Sequence, residues 1–183
     1  MRDHTKLRAF ELADSKNMPP VLCVVGGSGS GKTTYLERLI PELRGMGLRV
    51  GTIKHHPGDF EMDIPGKDSW RHRQAGAVAT MVSSPGRIGM VLEVDHDHDP
   101  EELASFISDV DIVLAEGYKR AQCPKIEIFR SEVHDKPFCI DDGYLMAIVT
   151  DADVDLEAPR FVMDDVRGLA AFLLERFGLV HGP

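Results

Sequence analysis

Cysteine is scarce in this chain, and the few that occur lie far apart. The 183 residues include only Cys23, Cys123 and Cys139. An odd number at such wide spacing fits neither a disulfide framework nor a zinc ribbon. Cys23 lies inside an apolar run, so we expect it to be a small core residue. The pattern favours a reducing compartment, and we expect a cytoplasmic protein.

Long hydrophobic runs and an excess of positive charge are missing as well. No stretch approaches the ~18 consecutive apolar residues of a membrane helix, and the first twenty residues carry charges throughout, unlike a signal peptide. The formal net charge is −9 at pH 7, which disfavours binding to nucleic acid or to an anionic membrane. We therefore expect neither partner, and any anionic ligand must be held by a local site.

Short apolar runs alternate with helix-like stretches along most of the sequence. The strand-like runs include VLCVV (21–25), LRVGTI (48–53), VATMVSS (78–84), IGMVLEV (88–94), DIVLAEG (111–117) and YLMAIVTD (144–151). Helical spacing occurs over 32–44, and a last helix follows a short strand that starts at RFV (160–162). This alternation predicts an α/β fold of three layers, with a predominantly parallel or mixed sheet between helices. We assign 1–17 to a polar arm and 18–183 to one domain.

Three further elements are predicted from local pattern. KIEIFR (125–130) alternates apolar and polar residues, which is typical of a half-exposed or edge strand. Residues 100–110 begin with proline and predict a helix over their whole length. SWRHRQAGA (69–77) predicts a short helix with Asp68 or Ser69 as its cap.

The strongest motif is GGSGSGKTT (26–34), between a buried strand and a helix. Its pattern Gly26-x-x-x-x-Gly31-Lys32-Thr33 matches the Walker A motif completely. Glycines let the backbone curl so that several N–H groups point at one phosphate, and the helix N-terminus adds partial positive charge. In this motif Lys32 reaches the β- and γ-phosphates, and the Thr33 hydroxyl binds Mg²⁺.

A second metal ligand is expected from the end of another strand. Glu116 ends the run IVLAE, at the edge where ligands collect in open α/β sheets. It would bind Mg²⁺ through water or position a water for attack. The polar stretch 54–77 supplies Asp63 as a further metal ligand, and Lys54, Lys67 or Arg71 to neutralise phosphate charge.

Four pieces of the sequence, in order, resemble the MobB family of molybdopterin-guanine dinucleotide biosynthesis adaptor proteins. They are GGSGSGKTT, then TIKH leading to DIPGKDSWRHRQAGA, then DIVLAEGYK, and finally PKIEIFR. The resemblance covers roughly residues 20 to 178, and the arm falls outside it. Where relatives often carry a further pair of histidines, this chain has Pro57-Gly58.

The resemblance implies a P-loop GTP-binding domain that is usually dimeric and hydrolyses GTP slowly at most. It implies an adaptor role in attaching GMP to molybdopterin, beside a partner nucleotidyltransferase (MobA), with GTP, Mg²⁺ and molybdopterin as candidate ligands. By matched motif it places Gly29, Gly31, Lys32, Thr33 and Thr34 at phosphate and Mg²⁺, and Gly26 and Ser30 of the same loop are further candidate phosphate contacts. Asp63, Lys67, Asp68 and Ser69 fall on the family's second motif, and Glu116, Gly117 and Lys119 fall on its third. Lys32 and Glu116 are the candidate catalytic residues.

The base and a possible second metal site rest on shorter patterns. Guanine-specific P-loop proteins commonly have Asn/Thr-Lys-x-Asp after a strand, and this chain has Thr150-Asp151-Ala152-Asp153 there. Asp153, or else Asp151, is the candidate guanine contact, although an acidic turn explains the pattern equally well. The run DHDHDP (95–100) resembles a metal cluster but is more typical of a solvated loop.

Two other functions remain open from the residues alone. A P-loop kinase acting on a nucleotide or metabolite would carry an arginine-rich lid, whereas the arginines here are scattered apart from Arg71 and Arg73. A metallochaperone GTPase would use histidines and a Cys-His motif, which we do not find in the sequence. No arginine finger or water-orienting glutamine is evident, unless Arg71 or Arg73 acts from a second subunit, so we expect slow hydrolysis.

Overall fold

The computed structural model describes residues 18–179, so the predicted arm over 1–17 lies outside the described residues. The chain forms two compact units, one from the residues up to His55 and from Asp99 onward, the other from His56–His98. In chain order the elements are β1 (Val21–Val25), α1 (Lys32–Gly45), β2 (Val50–Lys54), α2 (Asp68–Gln74), β3 (Ala79–Ser84), β4 (Arg87–Leu92), α3 (Pro100–Ala104), β5 (Ile112–Glu116), β6 (Lys125–Ile128), β7 (Leu145–Val149), β8 (Arg160–Phe161) and α4 (Val166–Phe177).

The first unit is built on a six-stranded sheet in the order β2-β5-β1-β6-β7-β8. Each neighbouring pair in it is parallel. The carboxyl ends of all six strands therefore lie along one edge, and the loop after β1 begins at that edge. Ligands of open parallel sheets bind at this edge, next to the strand where the order changes direction.

Helices cover both faces of this sheet. On one face α1 and α4 contribute buried leucines such as Leu39, Leu169 and Leu173 to a core with Leu22 and Leu114. On the other face Ala104 of α3 packs with a second set of strand residues: Val21, Cys23, Val25, Val113 and Ala115. The predicted three-layer α/β fold is confirmed, and Cys23 is the core residue that the sequence indicated.

The prediction of a half-exposed or edge strand at 125–130 was wrong. Strand β6 lies between β1 and β7, and all four of its residues are buried. Its polar side chains are buried because each has a partner. Lys125 forms an ion pair of 2.6 Å with Asp142, and Glu127 accepts hydrogen bonds of 2.8 Å from the backbone N–H groups of Phe138 and Cys139.

Two helix boundaries also differ from the predictions. The helix expected over 100–110 ends at Ala104, after which three successive N–H groups bond to carbonyls three residues back instead of four. The hydroxyl of Ser105 donates to the Glu102 carbonyl at 2.6 Å and so takes an acceptor that the next helical turn would need. Asp68 is the first residue of α2, whose N-cap is Lys67 rather than Asp68 or Ser69.

The second unit contains α2 and the antiparallel hairpin β3–β4, which turns at Pro85-Gly86. Both strands were predicted from their apolar runs and are confirmed. Many of their apolar side chains are exposed, including Met81 at 61% and Ile88 at 69%. Within residues 18–179 no helix combines the length and apolarity needed to cross a bilayer.

Candidate functional site

The loop between β1 and α1 is shaped by its glycines. Gly26, Gly29 and Gly31 all have positive φ, which is unfavourable for other residues. At Gly26 a methyl group would also lie 2.3 Å from the backbone oxygen of Ile128 on β6. Glycine is therefore required at this position both by conformation and by space, and the loop curls tightly over the end of the sheet.

The ammonium group of Lys32 is held within this loop. Its Nζ donates to the carbonyl oxygens of Gly26 at 3.1 Å and Gly27 at 2.7 Å. Burial lowers the pKa of Lys32 below its ordinary value, while the nearby Glu116 carboxylate acts in the opposite direction. The lysine thus places a partly desolvated positive charge at the mouth of the loop, where it interacts more strongly with an anion than it would in bulk water.

Glu116 gathers side chains from three elements. Its Cα is paired with Val24 of β1 and with Lys54 of β2. The Thr33 hydroxyl lies 3.1 Å and 3.2 Å from its two carboxylate oxygens, and the Lys54 ammonium forms an ion pair with it. The structure thus brings together Lys32, Thr33, Lys54 and Glu116, all named from the sequence, although 62 positions separate Lys54 from Glu116.

This arrangement fits a phosphate with Mg²⁺. Two neighbouring oxygen ligands at about 2.1 Å from an octahedral Mg²⁺ lie about 3.0 Å apart, close to the separation of Thr33 Oγ1 and the Glu116 carboxylate. Ser30 Oγ is buried in the loop without a hydrogen-bond partner among the described residues. A buried polar atom without a partner is unfavourable unless a ligand or water completes it.

The predicted base contacts lie after β7, two strands from β1. Asp153 Oδ1 pairs with Arg160 at 3.0 Å, and its side chain is otherwise exposed. Asp151 instead accepts a hydrogen bond of 3.0 Å from the backbone N–H of Met163. The Asp151 carboxylate is therefore occupied by a hydrogen bond to the segment after β8. Asp153 can exchange its exposed partner, Arg160, for a ligand.

The second unit holds the other sequence candidates in a network of its own. One oxygen of Asp63 accepts a hydrogen bond of 2.8 Å from the Ser69 hydroxyl, and Lys67 occupies the N-cap position of α2 without a side-chain hydrogen bond to it. Arg73, largely buried, pairs with Glu61 at 2.6 Å, and this hydrogen bond lowers the pKa of Glu61. Arg71 is exposed and lies 3.8 Å from Asp68.

The Asp/His run before α3 forms local contacts. The rings of His96 and His98 lie side by side, with centroids 4.0 Å apart. His96 Nδ1 also lies 2.7 Å from the carboxylate of Asp95.

Sequence reasoning missed one residue next to the loop. Nε2 of His134 lies 2.9 Å from the carbonyl oxygen of Ser28. His134 also contacts the ring of Phe138 edge-on, with centroids 5.4 Å apart. Both residues belong to the irregular segment between β6 and β7, which has no periodicity and carries no recognised motif, so no signal in the sequence could place them there.

A parallel sheet with a glycine loop between its first strand and first helix defines a P-loop NTPase-like α/β protein. The family described as "Molybdopterin guanine dinucleotide synthesis protein B" (MobB) matches residues 21–151. The chain belongs to the MobB family, as its sequence motifs indicated.

Two relatives are similar to this chain over nearly their whole length. The molybdopterin-guanine dinucleotide biosynthesis adapter protein of Escherichia coli (strain K12) is 38% identical over 165 residues, which cover 87% of this chain and 94% of that protein. The protein of the same name from Haemophilus influenzae is 33% identical over 175 residues, covering 94% and 98%.

Solved structures of MobB proteins have a fold similar to that of this chain. The crystal structure of Bacillus subtilis MobB superimposes with a TM-score of 0.69 at 29% identity, covering 90% of this chain and 99% of that one. A crystal structure of molybdopterin-guanine biosynthesis protein B gives 0.67 at 30% identity, covering 85% and 99%. Neither the kinase nor the metallochaperone alternative receives support from these relatives.

Proposed function

We propose that this chain binds GTP with Mg²⁺ at the loop between β1 and α1 and acts as an adaptor in attaching GMP to molybdopterin. The observation that carries the proposal is the contact between the Thr33 hydroxyl and the Glu116 carboxylate beneath the glycine loop. The printed names of the relatives, which place them in molybdopterin-guanine dinucleotide biosynthesis, support the pathway.

Each residue of the site has a distinct task in this proposal. Backbone N–H groups of the loop bind the phosphates together with Thr34. The Lys32 ammonium group moves from the loop carbonyls to the β- and γ-phosphates. Thr33 and Glu116 hold the Mg²⁺, which when bound neutralises phosphate charge. Lys54 adds positive charge beside the γ-phosphate.

Hydrolysis at this site is slow. The Glu116 carboxylate is engaged by Thr33 and Lys54, so it is not available to orient a water for attack on the γ-phosphate. If a second subunit supplies an arginine to the phosphates, Arg71 is the better candidate, because Arg73 is held by Glu61 and Glu93 at 2.6 Å and 3.6 Å. Contacts of Asp63 with the metal and of Lys67 with phosphate stay predictions from the sequence.

Guanine selectivity comes from the segment after β7. A carboxylate accepts hydrogen bonds only, so it matches the N–H donors on the guanine edge and is mismatched to adenine. Asp153 takes this role because its partner, Arg160, is exposed and replaceable. Calorimetric titration with GTP and with ATP, each with Mg²⁺, tests the assignment: we expect tighter binding of GTP, and equal affinities would exclude guanine recognition.

The proposal includes a homodimer formed through the β3–β4 hairpin. Met81 and Met90 are directly opposite each other, and Ser83 is opposite Ile88 on the same side of the ladder. A two-stranded hairpin is only marginally stable by itself in water, and exposed apolar patches of this kind mark interaction sites. A second copy of the chain is the occupant that we propose for this face.

The adaptor role also requires a nucleotidyltransferase partner of the MobA type. We propose that the GTP-bound chain presents its nucleotide to that partner. Co-purification of the two proteins tests this step. We expect an association that requires GTP and Mg²⁺ and that is lost in the Lys32→Ala variant.

A further inference from the structure

A cavity of about 770 Å³ lies along the connection between β6 and β7. Its lining comes from residues 134–138 and 140–144, and it includes two half-exposed aromatic rings, Phe138 and Tyr144. Ligand pockets typically measure about 300–1,000 Å³ and combine aromatic walls with a few polar groups. The volume and the lining therefore suit a flat, polar organic molecule.

Buried polar groups fix the walls of this cavity in place. The fully buried Glu127 accepts hydrogen bonds from the backbone N–H groups of Phe138 and Cys139, both at 2.8 Å. Asp142 accepts one from the N–H of Tyr144 at 2.9 Å while it pairs with the buried Lys125. Both aromatic residues are thus anchored through their backbones, and a cavity formed before binding costs less ordering entropy on binding.

The polar groups around the rings match a particular class of heterocycle. The ammonium group of Lys119 lies 3.8 Å from the centroid of the Phe138 ring, and Lys136 is at the cavity wall. Asp135 and Asp141 are exposed at the same wall. A pterin has a flat face for stacking and an amino-oxo edge whose N–H donors suit a carboxylate, while a phosphate on its side chain suits a lysine.

We propose that this cavity binds the pterin ring system of the adaptor's second ligand. The inference rests on the proposed function, which supplies a reason for a pterin to be present. Guanine shares the amino-oxo edge, but the GTP base is already assigned to the segment after β7. The ring of the pterin stacks on Phe138 or Tyr144, Asp135 or Asp141 accepts from its edge, and Lys119 and Lys136 attract its phosphate.

His134 connects the cavity to the nucleotide loop. It lines the cavity, and its Nε2 lies 2.9 Å from the Ser28 carbonyl oxygen. Its ring also occupies the space above Gly27, where a methyl group would lie 1.7 Å from Nε2. One wall of the pterin cavity therefore touches the loop that holds the phosphates, and the two ligands would be held on neighbouring surfaces.

The test is a titration of the full-length protein with the fluorescent pterin neopterin, in which binding is measured as quenching of the neopterin emission. We expect saturable binding that weakens about tenfold or more in Phe138→Ala, equivalent to about 1.4 kcal/mol, and about tenfold in Asp141→Asn, which preserves side-chain shape. Phe106→Ala is the matched control, because Phe106 is also a half-exposed phenylalanine but does not line the cavity. It should bind as the wild type does.

Parallel experiments with GTP and guanosine distinguish the proposed pterin site from the proposed GTP site. Lys32→Ala should lose GTP binding and keep neopterin binding, and guanosine should compete with neopterin only weakly. Absence of saturable neopterin binding, equal competition by guanosine, or unchanged affinity in folded Phe138→Ala and Asp141→Asn would each overturn the pterin site. If neopterin binds in the cavity while GTP does not bind the wild type, the pterin site stands and the proposed function fails.

Discussion

The Thr33 hydroxyl lies 3.1 Å from the Glu116 carboxylate, although the two residues are 83 positions apart in the chain. Parallel pairing of β1 with β5 places Glu116 beside Val24, and the loop after β1 returns Thr33 to the same edge of the sheet. Two oxygen ligands thus meet where a phosphate-bound Mg²⁺ is expected.

Thr33 and Glu116 should act as a unit toward metal. Thr33→Val and Glu116→Gln should each weaken GTP binding in the presence of Mg²⁺ and have little effect in its absence. The double variant should lose less than the sum of the two, with a coupling of about 0.5–3 kcal/mol, because both ligands serve one ion. Calorimetry on the four proteins measures the coupling, and strict additivity would show that they do not share a metal.

The pH dependence of binding should report on Lys32. Its protonated form binds phosphate, and its pKa in the free chain is below the ordinary value of 10.5 because of burial. The affinity for GTP should therefore be highest below that lowered pKa and fall as the pH rises through it. The fall should occur at a lower pH than it would for a lysine with the ordinary pKa. Lys32→Arg is the control, because arginine stays charged to a pH of about 12 or more. Identical GTP affinity profiles for the two proteins between neutral and alkaline pH would contradict this prediction.

Substitution by alanine should change the free energy of unfolding in opposite directions at Gly26 and at Gly45. Gly26→Ala meets the Ile128 carbonyl oxygen and a positive φ, so it should lower the free energy of unfolding by about 1–3 kcal/mol and weaken GTP binding. Gly45, at the end of α1, has open space around its Cα, so Gly45→Ala should be neutral or stabilise by up to about 1 kcal/mol. Urea unfolding measures both, and a Gly26→Ala variant as stable as the wild type would show that glycine is not required at this position.

The hairpin should control the oligomeric state. Ile88→Asp and Met81→Asp place a charge on the exposed apolar face of β3–β4 and should convert the proposed dimer to a monomer, because burying an unpaired charge is costly. Val162→Asp is the matched control, since Val162 is also an exposed aliphatic residue but lies outside the hairpin. Light scattering coupled to size exclusion gives the masses. A dimer that survives both hairpin substitutions would place the interface elsewhere.

The local signals of the sequence were sufficient for the framework of the candidate site. Gly26-x-x-x-x-Gly31-Lys32-Thr33 specifies a strand, loop and helix within one contiguous segment, and Glu116 ends a fully apolar run. Each of these two patterns consists of residues that are adjacent in the sequence, so each can be recognised without knowledge of the fold. Parallel pairing then brings them together, as the alternation of elements predicted.

What the sequence did not predict depends on distant partners. Strand β6 looked half-exposed because Lys125 and Glu127 alternate with isoleucines. Both are buried because Asp142 and two N–H groups after β6 compensate them. The same segment places His134 on the nucleotide loop without any periodic pattern. Such contacts arise from irregular backbone, whose course is set by tertiary packing rather than by local propensity.

Calorimetric titration of the wild type and of Lys32→Ala with GTP in the presence of Mg²⁺ shows directly whether the loop between β1 and α1 is a nucleotide site. We expect saturable binding of one GTP per chain in the wild type. In the variant the affinity should fall about tenfold to a hundredfold, because a charged hydrogen bond contributes about 1.5–3 kcal/mol. GTP binding of equal strength in both proteins, or none in the wild type, would show that this loop does not bind GTP through Lys32.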